Sequence, residues 1–346
     1  MLNLNVLLKS IVLLIIVTVM YVSVVVTGQY LPDSSYFITL YLSVFNLLTG
    51  IIVSMFIQPT DYNTTLQFLI KGSITLGILR YQNFMWLFLA NPYVPGIIQS
   101  ILNESNIIIT FLGVVFILNK PFHYSQIIII IVVVFTTLIL PIIDITTNNG
   151  YSILWMLIYF LGVIAIPITG IVTEYAVKQK HEDVGYKYNI PWILTGRDFY
   201  MTLLVLLTLA VLSIFNYQSV LMDLHSGLKI ISNNLSAFIS LNILAVTTYT
   251  ATLLTAYICR SDDAMLTSLI ISLAPPLAGI VFIIIEILVK INIIKIVASI
   301  IVLLVITTCI LLYKYISYYR RNTNIVDLGC YKYEASNKPA LLNKII

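Results

Sequence analysis

Long apolar blocks, divided by short polar breaks, constrain this chain more than any other feature. The stretch from Ile11 to Val26 carries no charged residue, and comparable blocks recur up to Tyr313. About 20 apolar residues suffice for a helix to cross a bilayer. Inside lipid every backbone polar group must be satisfied within the protein, which leaves helices or a closed barrel. A membrane barrel would show alternating segments of about 10 residues; the run from Ile127 to Val134 does not alternate. The composition agrees: 60% of the 346 residues are hydrophobic and 9% are charged. Soluble domains carry roughly a quarter charged residues. Mean hydropathy is +1.02. The expectation is an all-α integral membrane protein.

Ten spans are predicted, at 7–27, 37–57, 66–90, 97–118, 124–143, 153–176, 193–215, 236–259, 264–288 and 291–313. Turn-forming residues mark the boundaries at Gly28 to Ser35, Gln58 to Asn63, Asn91 to Gly96, Asn119 to Tyr124 and Asn148 to Gly150. Cleavage of the first block as a signal peptide is a minority reading, because its apolar stretch reaches or exceeds the top of the usual range. The cations then sort by side. Twelve (Lys9, Lys120, Lys178, Lys180, Lys187, Arg260, Lys314, Arg320, Arg321, Lys332, Lys338 and Lys344) share one face. Three (Lys229, Lys290 and Lys295) fall on the other. By the positive-inside rule the first face is cytosolic, with both termini on it.

An internal repeat matches this count. Leu112-Gly113-Val114-Val115-Phe116-Ile117 recurs as Ala278-Gly279-Ile280-Val281-Phe282-Ile283, each followed by a polar break and one more span. Two five-helix halves, 1–143 and 144–313, would be inverted relative to one another, because each has an odd number of spans. Residues 314–346 read as a polar cytosolic tail. Chance similarity of short apolar blocks is the competing explanation.

Enzyme signatures are missing. There is no phosphate loop, no His-Glu-x-x-His, no Gly-x-Ser-x-Gly and no Cys-x-x-Cys. The three cysteines, Cys259, Cys309 and Cys330, are scattered. His123, His181 and His225 fall in predicted loops, where a solvated side chain is the default. No enzyme, metal site, cofactor or nucleic-acid partner is expected; the expected partners are the bilayer, a small-molecule substrate and protons.

Ionisable residues at membrane depth are costly and mark cavities or pairs. Arg80 in span three and Glu104 in span four lie about 10–14 Å from the same membrane face. Joined by a short turn, they are expected to pair, either as a helix clamp or in a substrate or proton role. Glu174 and Lys178, at i and i+4, form a candidate gate or simply a headgroup pair. Arg197 and Asp198 are placed just inside the cytosolic end of span seven. Neutral polar residues add Gln99, Ser100 and Asn103 in span four, and Asn242, Tyr249 and Thr252 in span eight. Together with Arg80 and Glu104 they predict a central cavity. Pro275-Pro276 breaks span nine, either to free backbone groups for a ligand or as a packing kink.

Ten spans, inverted halves and cytosolic termini resemble the drug/metabolite transporter superfamily. Two stretches resemble its chloroquine-resistance-transporter-like group: Pro95-Gly96-Ile97-Ile98-Gln99-Ser100, and Thr173-Glu174-Tyr175-Ala176-Val177-Lys178. The resemblance implies a carrier of peptides, amino acids or thiols such as glutathione, often proton-coupled, in an acidic vacuole or similar organelle, affecting its osmotic balance. It would put Gln99 and Ser100 in the cavity and Glu174 at the cytosolic gate. The chain departs from the group at Arg80, where an Asp is common. It lacks the proline usual near Ile107 to Ile109, an acidic residue near Tyr249 and Thr250, and a cysteine-rich loop before span eight. The alternatives are a sugar-phosphate or nucleotide-sugar exchanger and a non-transporting scaffold or receptor. The exchanger needs deep cations, and the sequence reading places only Arg80 at depth.

Overall fold

A computed structural model describes residues 4–31, 34–56, 63–90, 93–94, 96–118, 120, 122–137, 153–178, 190–261, 264–278, 281 and 293–323. The described residues form helices and short connections, with no strand among them. The helices are α1 (Leu4–Tyr30), α2 (Ser35–Met55), α3 (Asn63–Ala90), α4 (Gly96–Phe116), α5 (Tyr124–Thr137), α6 (Ile153–Lys178), α7 (Ile190–Asn233), α8 (Leu235–Ser261), α9 (Ala264–Ile271) and α10 (Ile293–Thr323). Each lies on one of the ten apolar blocks. Six contain stretches long and apolar enough to cross a membrane: Leu8–Tyr30, Ser35–Met55, Ile153–Tyr175, Ile190–Phe215, Leu235–Arg260 and Ile300–Ser317. Large apolar side chains such as Ile15, Ile52, Leu157, Leu207 and Leu304 are exposed along these stretches. In water such a surface would be a liability; against lipid tails it is the low-energy state.

α3 is as long as the spanning helices but more polar, and it packs against α2, α6 and α7. A polar helix is stable at that position because its neighbours take up its hydrogen bonds. Asn83 Nδ2 donates to Gly162 O at 3.1 Å, and Tyr81 and Thr208 share a hydroxyl hydrogen bond of 2.6 Å. The main helix pairings are α2 with α7, α3 with α6 and α7, α1 with α8, α4 with α6, and α5 with α10. α4 also packs on α9. The short connection after α3 predicts direct α3–α4 packing; instead α6 lies against both helices.

Two glycines set the depth of packing around α7. A Cβ on Gly77 of α3 would sit 2.9 Å from Arg197 O and 2.7 Å from Tyr200 Cβ. A Cβ on Gly50 of α2 would sit 2.9 Å from Thr195 Oγ1. Small residues let helix backbones approach in lipid, where packing rather than hydrophobicity drives association.

Two helix boundaries and the setting of one histidine differ from the sequence expectation. α7 has 44 residues, which makes it about 66 Å long, twice a bilayer core of about 30 Å. Its second half, expected as a loop, is helical because Val220, Leu224 and Ile231 recur on one face and pack with Leu31, Phe37 and Leu42. Asp223 there accepts the backbone N–H groups of Tyr36 (3.3 Å) and Phe37 (3.0 Å), capping the start of α2. His225 accordingly lies on this helix rather than in a loop, and it is exposed. α10 continues through Thr323, so residues 314–323 are helix rather than tail, held in part by Gln126 Nε2 donating to Ser317 Oγ at 2.9 Å. His123, expected to be merely solvated, sits at the start of α5, where its Nδ1 accepts the Ser125 N–H at 3.2 Å.

Candidate functional site

The polar centre of the bundle is built by α2, α3, α7 and α8. Arg197 and Asp198, adjacent on α7, are fully buried. Arg197 Nε donates to Asp198 Oδ1 at 2.7 Å, and Nη2 lies 2.5 Å from the same oxygen. The ion pair thus engages Nε and Nη2, while Arg197 Nη1 remains without an acceptor and Asp198 Oδ2 without a donor. Gly77 lets the α3 backbone approach Arg197 closely, and the bundle encloses both side chains of the pair.

Arg80 stands one turn further along α3 than Gly77. Its Nη2 donates to Thr252 Oγ1 at 3.2 Å, and its guanidinium covers the Phe84 ring at 4.4 Å. Its Nε is enclosed and has no hydrogen-bond partner. Arg80 also interacts electrostatically with both Arg197 and Asp198. Tyr249, one turn before Thr252 on α8, is buried with an unpartnered hydroxyl and feels the charges of Asp198 and Arg197. Asn46 on α2 completes the group. Thr202, which donates to Ser43 O at 3.1 Å, and the Gly50–Thr195 contact set the register, and they bracket Asn46 on α2 and the Asp198–Phe199 step on α7. Both side-chain polar atoms of Asn46 are buried and unpartnered.

The other candidate residues fall elsewhere. Gln99 and Asn103 gather round Tyr159 of α6: Asn103 Nδ2 donates to the Tyr159 hydroxyl at 3.3 Å, and that hydroxyl faces Gln99 Oε1 at 3.5 Å. Asn242 is satisfied locally, accepting from the Tyr41 hydroxyl at 2.9 Å and donating to Phe238 O at 2.8 Å. It clamps α8 to α2. Glu174 is buried at the end of α6; it pairs with Lys120 and accepts the Ala264 N–H at 2.8 Å, capping α9. The side chains of Ser100, Glu104 and Lys178 lie outside the described residues, and with them the Arg80–Glu104 and Glu174–Lys178 pairs. α9 is interrupted at Ser272 and Leu273 and helical again at 274–278. Pro275 and Pro276 supply no N–H to the carbonyls of Ile271 and Ser272, which is the local cause of the break.

Arg197, Asp198 and Asn46 are the residues that sequence reasoning missed. The signal was present in Arg197-Asp198, two opposite charges inside an apolar block, which the sequence places just inside one end of span seven without a site role. Asn46 is the lone amide in span two.

No family model matches the chain, and neither does any curated protein. A solved structure, described only as a crystal structure of protein, superposes on 92% of this chain and 99% of its own, with a TM-score of 0.60 and 11% identity. At that identity the likeness is one of fold.

Proposed function

We propose that this chain is a secondary transporter of small polar metabolites, with ten spans in two inverted five-helix repeats. The observation that carries this reading is the buried centre. It holds two arginines, one carboxylate, a tyrosine hydroxyl and an amide whose hydrogen-bonding capacity is unfilled, inside helices whose outer faces are apolar. Ionisable groups at membrane depth are retained where they serve a ligand or ion path. A non-transporting scaffold has no need of such a centre.

The helix pairings support the inverted repeat. If each helix is exchanged for the one five places on, α3 with α6 becomes α8 with α1, and α4 with α6 becomes α9 with α1. The pairs α2–α7, α4–α9 and α5–α10 map onto themselves. That is the behaviour of a pseudo-two-fold axis between halves.

On this reading the resemblance to chloroquine-resistance-transporter-like carriers extends to an acidic organelle, cytosolic termini and proton coupling, with Glu104 as the proton-accepting group and Glu174 with Lys120 at one gate. A cargo of peptides, amino acids or thiols belongs to the same resemblance. Arg197 adds a second deep cation to Arg80, which favours an anionic cargo over a cationic one. A sugar-phosphate exchanger is the second reading it supports.

The test is uptake by the purified chain in liposomes against a panel of amino acids, peptides, thiols, organic acids and sugar phosphates, with and without a pH gradient. Saturable uptake of one class is expected, with a pH profile that Glu104→Gln alters. Impermeability to the whole panel, in liposomes holding folded protein, would return the chain to the scaffold reading.

A further inference from the structure

All but one of the buried side-chain polar atoms without a hydrogen-bond partner among the described residues belong to Asn46, Arg80, Arg197, Asp198 and Tyr249. The exception, Asn106 Oδ1, lies on α4. Orphaned polar atoms scattered through a core would be packing defects. Here all but one gather on four neighbouring helices, which is the arrangement of a site for a polar ligand. Each such atom left unsatisfied costs about 1–3 kcal/mol, so gathering them without a ligand-binding role is unfavourable.

The chemistry of the group is one-sided. Its unfilled donors are Arg197 Nη1, Arg80 Nε, the Tyr249 hydroxyl and Asn46 Nδ2, and the outer edge of the Arg197 guanidinium still presents an N–H from each terminal nitrogen. Its unfilled acceptors are Asp198 Oδ2 and Asn46 Oδ1. Two guanidiniums face one carboxylate. The paired N–H edges of a guanidinium form a planar fork that matches a carboxylate through two parallel hydrogen bonds. A single negative charge balances the described side chains of the group, whereas a phosphate dianion would overshoot and press against Asp198.

We propose that Arg197, supported by Arg80, Tyr249 and Asn46, binds the carboxylate of a small, singly charged organic acid. A hydroxyl beside that carboxylate gives Asp198 Oδ2 its missing donor. The proposal rests on the transporter reading for its biological sense and narrows the cargo to monocarboxylates.

The test uses the full chain in detergent, titrated with L-lactate, pyruvate, inorganic phosphate, glycine and glucose, with binding followed by calorimetry and thermal shift. L-Lactate should bind saturably, and about tenfold more tightly than pyruvate, which lacks the hydroxyl donor. The double variant Arg197→Gln/Asp198→Asn removes both charges together, so neither is stranded, and should lose at least tenfold in lactate affinity. Where the double variant does not fold, Tyr249→Phe decides: it should weaken lactate several-fold without changing the fold. Three results would overturn the site: no lactate binding by the wild-type chain, tighter binding of phosphate than of lactate, or unchanged lactate affinity in the folded variants. Lactate binding in detergent together with no uptake of any solute in liposomes would sink the transporter reading and leave the site standing. Saturable uptake of glycine by a chain that binds no lactate would do the reverse.

Discussion

The described residues contain two ion pairs that use the same two charges in opposite ways. Glu174 is buried and complete: one carboxylate oxygen pairs with Lys120, and the other accepts the first N–H of α9. It ties the connection after α4, the end of α6 and the start of α9 together. Arg197 and Asp198 are also buried, but they sit side by side on one helix and leave Arg197 Nη1 and Asp198 Oδ2 open. The first pair joins elements and is filled by the protein itself. The second hydrogen-bonds to nothing beyond its own helix turn, and it interacts electrostatically with Arg80 and Tyr249. Burial alone therefore does not distinguish a lock from a site. The distinction lies in whether the surrounding backbone supplies the remaining partners.

The sharpest way to break this comparison is to strand a charge. Asp198→Ala leaves the Arg197 guanidinium buried with no counter-charge and should cost about 3–5 kcal/mol, read as loss of folded protein in a denaturant titration in detergent. Replacing both residues by Gln and Asn should recover most of that loss. A single variant as stable as the wild type would show that water reaches Arg197.

Next in size is the contact that buries the pair. Gly77→Ala pushes a methyl group onto Arg197 O and Tyr200 and should cost about 1–3 kcal/mol, visible as a lowered midpoint of thermal unfolding. An unchanged midpoint would mean that α3 and α7 can part without penalty.

Glu174→Gln should have a smaller effect. Lys120 is 34% exposed, so solvent screens much of the ion-pair energy. The amide still accepts the Ala264 N–H through its own oxygen. A loss of about 1 kcal/mol is expected. Proteolysis of the connection between α8 and α9 should also become faster. A loss as large as that of Asp198→Ala would erase the contrast between lock and site.

The smallest effect is expected at Tyr249. Its hydroxyl bonds to nothing among the described residues, so Tyr249→Phe should change stability by less than about 0.5 kcal/mol. A marked destabilisation would reveal a structural partner for that hydroxyl and remove it from the candidate site.

Much of the fold was legible in the sequence. Each of the ten apolar blocks carries a helix, because satisfying the backbone in lipid is a local requirement met by hydrogen bonds within four residues. The second half of α7 was missed because its polar residues (Asn216, Gln218, Asp223 and His225) read as loop, while its spaced apolar face needed α1 and α2 for partners. Arg80, Tyr249 and Thr252 were legible as deep polar residues. Asn242 was equally polar in sequence, yet it is satisfied by Tyr41 and its own helix. Hydropathy cannot separate an amide with a neighbour from an amide without one.

By itself the sequence determined that the chain is helical, where most of the helices lie and which few charged residues fall within apolar blocks, since each follows from composition along one strand of backbone. Only the tertiary structure decided which of those polar groups meet. Arg80 and Arg197 stand more than a hundred positions apart, and what brings them to a common centre is helix register: Gly77 against Arg197, Gly50 against Thr195, and Thr202 on Ser43. Such contacts depend on the depth at which two surfaces interlock, a property of pairs of helices that no single stretch of residues contains.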